Sequence, residues 1–441
     1  MRRNRRDFLK QGVGSVALSS MIPALSSVQA QTRDLAQKPL GGTASKANYL
    51  PTITPDGVTL DFKLIDGVKV FHLTAEDVDH QFAPDLKGLC FGYNGRVHGP
   101  TIEAVEGDRV RIYVTNGLES PTTVHWHGMH VPSGMDGVGG LSQRPIQPGE
   151  TFKYEFDLKQ HGAFMYHSHH DEMVQMALGL MGMFIVHPLE PTGPAVDRDY
   201  VFMLSEWALK PGLLRPDPYE MNDFNLLTLN GKAFPGTSPI HAKRGERVRI
   251  RLGNLSAMDH HPMHLHGHTF LVTETDGGRI PESAQWPETT VLVPVGSTRT
   301  IEFIADNPGD WAFHCHMTHH TMTQMGHGIP NLVNVDQATF DAKVAAAMPS
   351  FASSGSGHMG GDEDTDMGMQ LPRNSAPMFG GRGPHGYIPM GGMFTILKVR
   401  DSNELDAEWY EDPGDTTARP ATESELLRDG IDPSLSSKTE R

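Results

Sequence analysis

One stretch of this chain occurs twice. Residues 101–112, TIEAVEGDRVRI, are echoed by 239–250, PIHAKRGERVRI. Each copy then runs on to a His-x-His pair, His125-Trp126-His127 in the first and His264-Leu265-His266 in the second. Further on, 147–151, QPGET, answers 295–299, VGSTR, and 162–169, GAFMYHSH, answers 309–316, GDWAFHCH. Self-similarity of four segments in the same order means two copies of one folding unit, each of roughly 140 residues, an ordinary domain size.

Each copy reads as β. Val110-Arg111-Ile112-Tyr113-Val114 and Val248-Arg249-Ile250-Arg251-Leu252 alternate apolar with polar, the period of a half-buried strand. Gly- and Pro-rich turns punctuate them, and helical apolar stripes are scarce. The expectation is all-β, with two Greek-key sandwiches in tandem. Domain 1 is placed at 49–192 and domain 2 at 193–400. The last strand of the first copy, Met181–Val186, follows soon after His169, whereas its counterpart, Gly391–Val399, is displaced far downstream. An insertion over 336–385 accounts for the gap, rich in Gly, Ser, Met and acidic residues around 353–369 and expected to be partly disordered. Residues 401–441 read as an acidic tail.

The first 30 residues are set apart from the fold. Arg5-Arg6-Asp7-Phe8-Leu9-Lys10 is a twin-arginine pattern, a short apolar stretch follows, and Val28-Gln29-Ala30 offers a small-residue cleavage site. Export of a folded protein, to the periplasm of a bacterium, is expected; residues 31–48 then serve as a linker. The formal charge is −16, and residues 1–30 hold five basic residues against one acid, leaving about −20. So acidic a surface speaks against nucleic acid and against anionic membranes. The apolar stretch is too short to span a bilayer.

The chemistry lies in the histidines. Residues i and i+2 of a strand point to one face, so each His-x-His pair can aim two imidazoles at one place. In His314-Cys315-His316 the middle residue points the other way. Cys315 can then bind one metal while its neighbours reach another. One thiolate, one thioether from Met325 and two imidazoles form the ligand set of a blue-copper electron-transfer site. The remaining histidines are too many for that ion, so a second, imidazole-only centre is expected nearby. The chain has two cysteines; Cys90 reads as a small buried hydrophobe, and with Cys315 on a metal no disulfide can form.

On these segments the chain resembles the multicopper oxidases, over nearly all of 101–325. The four ligand segments of that family appear as His125-Trp126-His127-Gly128, His167-Ser168-His169, His261-Pro262-Met263-His264-Leu265-His266-Gly267, and His314-Cys315-His316 with His320 and Met325. The resemblance implies cupredoxin-like domains and four copper ions per subunit. The type 1 ion would be held by His261, Cys315 and His320, with Met325 axial. The type 2 ion would take His125 and His264. One type 3 ion would take His127, His167 and His316, the other His169, His266 and His314. With only two domains and the type 1 set in the second, the chain looks like the small laccases, which implies a homotrimer with each trinuclear site shared between subunits. The implied reaction oxidises a phenolic donor or Cu(I) and reduces O₂ to water. Asp136 falls where the family places an acid near the cluster; an Asp-Gly turn residue is the alternative reading. Where the family often has an acid after the second type 1 histidine, this chain has Thr321.

Other methionines and histidines admit two readings each. Met173, Met176, Met181 and Met183 could guide Cu(I) or simply pack a core. His358, Met359, Met367 and Met369, among acids, could recruit Cu(I) or be a solvated loop. A copper-dependent nitrite reductase and a non-catalytic copper-sequestering protein are the alternatives in function. The first normally keeps its type 1 cysteine in the first domain.

Overall fold

The alternation at 110–114 becomes a strand, Arg109–Asn116, whose Val110, Ile112 and Val114 are fully buried while Arg111 and Tyr113 stay half-buried. The fold comes from a computed structural model that describes residues 49–84, 86–209, 214–222, 224–321, 380–401, 407–414 and 416–433. Strands dominate it.

In the first half, β1 (Lys63–Ile65), β2 (Val68–Ala83) and β3 (Leu86–Tyr93) precede β4 (Ile102–Val105), β5 (Arg109–Asn116) and β6 (His125–His127). β7 (Thr151–Asp157), β8 (Gly162–His167) and β9 (Met181–His187) follow. One sheet runs β1-β2-β5-β7 with β3 also on β2; the other runs β4-β9-β8-β6. Phe71, Ile112, Trp126, Tyr154 and Phe184 fill the space between them.

The second half repeats the plan with β10 (Arg198–Trp207), β11 (Leu226–Leu229), β12 (Ile240–Lys243), β13 (Arg247–Asn254) and β14 (His261–Leu265). Then come β15 (Phe270–Thr275), β16 (Gly278–Arg279), β17 (Trp286–Glu288), β18 (Thr290–Val293), β19 (Ser297–Ile304) and β20 (Gly309–Cys315). After a small hairpin of β21 (Gly381–Gly383) and β22 (Gly386–Ile388), β23 (Phe394–Arg400) closes the second sheet. Its order, β12-β23-β20-β14-β18, copies β4-β9-β8-β6 with one strand added. In both copies the first and last strands of this sheet pair parallel, β4 with β9 and β12 with β23. The protein is therefore two Greek-key β-sandwiches in tandem, the all-β class expected from the repeat. The signal segment, the linker to residue 48, Met325, His327 and most of the 336–385 insertion, including 353–369, lie outside the described residues.

Several contacts tie the sandwiches together. Residues 49–60 run across both: Ile53 pairs with β10 through Ile53 N to Asp199 O (2.7 Å) and Val201 N to Ile53 O (2.9 Å), and Leu60 N donates to Thr101 O (2.8 Å). Between the sheets, Met165, Met181 and Met183 pack with Val201, Met203 and Leu255. Met181 and Met183 are thus core residues, while Met176 is half-buried and Met173 exposed. Cys90 is the small buried hydrophobe expected, packed with Val78, Phe82 and Trp207. Beyond Arg400, the tail returns to the fold where Tyr410 N donates to Asp310 Oδ2 (2.8 Å).

The same interface holds two imidazoles. His80 Nε2 lies 2.5 Å from Gly231 O, and His98 Nε2 lies 2.8 Å from Ser205 Oγ with its ring stacked on Trp207. Burial pushes His80 from 6.5 down to about 4 and His98 to about 3. The unfolded chain therefore takes up protons first as pH falls, and stability present above about 6.5 is lost progressively toward 4. The lowered His80 alone accounts for roughly 3 kcal/mol of that loss. Replacing it with Asn, which can still donate to Gly231 O, should flatten the decline. Chemical unfolding at pH 7 and pH 4.5 measures this; an unchanged slope in His80→Asn contradicts it.

Candidate metal centres

Two strand pairings build both centres. In the second sandwich β14 pairs with β20, placing Met263 opposite Cys315 and His264 opposite His314. Alternation along β14 sends His261, Met263 and Leu265 into the core, and His264 with His266 to the outer face. Cys315 faces inward with the first group, as its place among the core residues shows. A single register thus separates the sulfur from the outer imidazoles.

On the core side, His261, Cys315 and His320 converge. His261 Nδ1 lies 3.2 Å from His320 Nδ1, and Cys315 Sγ lies 3.8 Å and 3.4 Å from those two nitrogens. All three side chains are buried, and their donor atoms lie within 4.8 Å of one another. Each imidazole is steered from behind: His261 Nε2 lies 2.7 Å from Ser256 Oγ, and His320 Nε2 lies 3.4 Å from Asp259 Oδ2. Such outer partners leave Nδ1 free to face a metal. Burial holds His261 and His320 below the usual imidazole range, hence neutral and ligand-ready. Burial also pushes the Cys315 thiol up to about 12. A thiol in that setting ionises only against a nearby cation, which a bound metal supplies.

The outer histidines fall into two groups, one on each sandwich. In the first sandwich β6 pairs with β8, setting His125 opposite His167 while Trp126 between the pair points into the core. His127 Nδ1 lies 3.2 Å from His167 Nε2, and His125, His127 and His167 bring donor atoms within 4.8 Å of one another. His169 completes this group, its ring 5.3 Å from that of His125 and its Nδ1 held by Glu172 Oε1 at 2.8 Å. His125 Nδ1 donates to Asp136 O (2.8 Å), with the Asp136 carboxylate at 3.5 Å. Gly137, at φ +84°, makes that approach possible; a Cβ there would meet Val124 O at 1.8 Å. In the second sandwich His264, His266, His314 and His316 form the matching group. His266 Nε2 lies 3.1 Å from His314 Nε2, and His264 donates to Thr289 O (2.7 Å). The His316 ring lies 5.2 Å from that of His264. Burial lowers His167 to about 3 and His314 to about 4, and lowers His127 and His266 as well. Among the described residues, no ring contact joins one group to the other.

The internal repeat exposes residues that sequence reasoning passed over. Three residues before His125, in the register of His261, stands Thr122; in the register of Cys315 stands Ser168. Thr122 Oγ1 and Ser168 Oγ both donate to Gln175 Oε1, at 2.7 Å and 2.5 Å, and Gln175 Nε2 donates to Pro121 O (2.7 Å). A hydrogen-bonded polar trio thus fills the place where the second sandwich gathers metal ligands. The repeat alignment could have revealed Thr122 and Ser168, but Gln175, at the end of a helix, α1 (Glu172–Gln175), does not fall in the register of His320. Also missed were Asp259 behind His320 and the buried Glu206, whose Oε1 accepts from Met258 N (2.6 Å) and Asp259 N (3.2 Å). Burial and the neighbouring Asp259 push Glu206 up to about 8. Of the remaining histidines, His268 is buried against Trp311, His170 is half-buried and His130 is exposed.

Two family models match the sequence, both described as multicopper oxidase, at residues 75–191 and 210–333. Copper resistance protein A of Escherichia coli is 31% identical over 42% of this chain, and Laccase-1 of Cryptococcus neoformans is 31% identical over 53% of it. Those stretches span only 38% and 43% of the two relatives. Among solved structures, the blue copper oxidase from Nitrosomonas europaea is similar with a TM-score of 0.56 at 27% identity, covering 78% of this chain and 92% of that one. The multicopper oxidase mgLAC gives 0.57 at 29% identity, covering 82% and 95%.

The inward set and the polar trio make opposite predictions. Cys315→Ser should remove the thiolate-to-metal absorption near the red end of the visible spectrum and one copper ion per chain. Ser168→Ala should leave colour and copper count unchanged and lower stability by about 1–2 kcal/mol, because Gln175 Oε1 loses a donor. Elemental analysis, visible spectra and unfolding curves read all three; colour surviving Cys315→Ser refutes the assignment.

Proposed function

The chain belongs to the multicopper oxidase family, and on that premise we propose that it is a laccase-like oxidase. It couples one-electron oxidation of a small donor to the reduction of O₂ by four electrons and four protons to two waters. The observation that carries this reading is the position of Cys315 between His314 and His316. Its sulfur belongs to the inward set while both neighbours belong to the outer one, so a few covalent bonds separate the two sets. Copper bound there would supply one-electron redox chemistry at the first set and O₂ chemistry at the second.

The residues divide the labour. His261, Cys315 and His320 hold the electron-accepting ion, with Met325 assigned as the axial ligand; Ser256 and Asp259 orient the two imidazoles. His125 and His264 are assigned to the type 2 ion. His127, His167 and His316 are assigned to one type 3 ion, and His169, His266 and His314 to the other. Asp136, whose carboxylate lies 3.5 Å from His125 Nδ1, is assigned the delivery of protons. Each of these three ions would draw ligands from both sandwiches, yet among the described residues no ring contact joins one histidine group to the other. That supports a site completed between chains, in a head-to-tail ring of three. Export through the twin-arginine pattern suits a protein that must fold around its copper. In nitrite reductases the type 1 cysteine normally lies in the first domain; here Ser168, bonded to Gln175, holds that register.

The donor is a phenolic compound or Cu(I), and O₂ uptake by the copper-loaded protein separates them. Faster turnover with Cu(I) that falls on deleting 353–369 makes it a cuprous oxidase; faster turnover with a methoxyphenol makes it a small laccase. No uptake with either, at four coppers per chain, ends the oxidase reading. Asp136→Asn should slow turnover at least tenfold while the blue absorption stays intact. Unchanged turnover removes Asp136 from the proton path.

A further inference from the structure

We propose that Glu206 is a positioning residue for the inward ligand set: by holding the Met258–Asp259 backbone it keeps Ser256 and Asp259 on the two imidazoles. The proposal rests on the reading of His261, Cys315 and His320 as a blue-copper site, and it adds the residue that sets their outer partners. The segment 255–260 joins β13 to β14 and carries both partners. Ser256 Oγ lies 2.7 Å from His261 Nε2, and Asp259 Oδ2 lies 3.4 Å from His320 Nε2. Asn254 and Glu206 anchor that segment. Asn254 Oδ1 accepts from Ser256 N (2.8 Å), and its Nδ2 donates to Asp259 O (3.0 Å). Glu206 Oε1 accepts from Met258 N (2.6 Å) and Asp259 N (3.2 Å).

The internal repeat separates the general anchor from the special one. In the first sandwich Asn116 does what Asn254 does: its Oδ1 accepts from Leu118 N (2.9 Å) and its Nδ2 donates to Ser120 O (2.9 Å). Ala75 stands opposite Asn116 in the pairing of β2 with β5, and Leu204 stands opposite Asn254 in the pairing of β10 with β13. Two residues past these lie Asp77 and Glu206, acids in one register with opposite fates. Asp77 is exposed and pairs with Arg215 at 2.6 Å. Glu206 is 4% exposed, and among the described residues no cation pairs with it.

Taking a carboxyl group out of water is costly unless hydrogen bonds offset it. The first sandwich shapes its loop with Asn116 and leaves its acid in water. The buried acid occurs in the copy whose loop carries partners for ligand imidazoles. A carboxylate held beside His320 favours the oxidised, more positive state of an ion bound there. Released from Glu206, the Asp259 carboxylate would swing away from His320, and the reduced state would gain.

The test is a redox titration of the blue absorption, with chemical unfolding, on the copper-loaded wild type, Glu206→Gln, Glu206→Leu and Ser205→Ala. Gln keeps an oxygen for the two amides, and Leu does not. Ser205, next to Glu206 on β10, lies 2.7 Å from Thr228 Oγ1 and 2.8 Å from His98 Nε2; its variant is the control for buried hydrogen bonds lost on the same strand. Glu206→Leu should move the reduction equilibrium at least tenfold toward the reduced ion, about 59 mV for one electron, and alter the blue band. Glu206→Gln should stay within twofold of wild type with the band unchanged. Ser205→Ala should lower stability and leave equilibrium and band alone. Should Glu206→Leu fail to fold, Glu206→Met replaces it with the same readouts. A Leu variant with the wild-type equilibrium and band, however unstable, overturns the proposal. So does a Gln variant shifted as far as the Leu one, since the charge and not the held backbone would then be the cause. A wild type that takes up copper without turning blue overturns the blue-copper reading beneath it.

Discussion

Much in this protein follows from the pairing of β14 with β20. Setting Met263 opposite Cys315 and His264 opposite His314 decides which side chains enter the core and which stay outside. A slip of one residue would turn the sulfur outward and bury the outer imidazoles, because side chains in a strand alternate with period two. The register is held by the core itself: Met263, Leu265, Phe313 and Cys315 are all fully buried. Hydrophobic packing thus fixes a covalent link between the inward set and the outer imidazoles, and no loop has to be trusted with it.

That arrangement carries a cost that the fold must offset. Buried imidazoles must stay neutral, a buried thiol cannot ionise unaided, and open ligand nitrogens give up hydrogen bonds to water. The protein offsets part of this by satisfying the far side of four of the rings, from Ser256, Thr289, Asp136 O and Glu172. In the registers of His261 and Cys315 the first sandwich has Thr122 and Ser168 instead, which share Gln175 as a hydrogen-bond partner. The same backbone plan thereby supports one core that gathers His261, Cys315 and His320 and one core closed by hydrogen bonds.

Much of this was legible from the residues alone. The repeat carried the fold class, because TIEAVEGDRVRI and its echo bring strand alternation and turn glycines in the same order. The split into inward and outward residues was legible because residues two apart on a strand share a face and the one between them points the other way. What was not legible depends on contacts distant in sequence. Nothing near Glu206 announces that it caps the Met258–Asp259 backbone about fifty residues away, and Gln175 reaches Thr122 only through the turn before α1. The segment 49–60 reads as the start of the first domain but also pairs with β10, since an extended strap has no period of its own to show which sheet it joins.

The central claim is that one chain carries two halves of a site which only another copy completes. Mixing tests it most directly. One variant loses the first group, by His125→Ala and His127→Ala; the other loses the second, by His264→Ala and His316→Ala. Each alone should keep its blue absorption and reduce no O₂. Dissociated, mixed and reassembled with copper, the pair should recover O₂ uptake, because an intact first group can then face an intact second group across the contact. A mixture as inactive as its components would mean that each chain must build the whole site for itself, and would contradict the account.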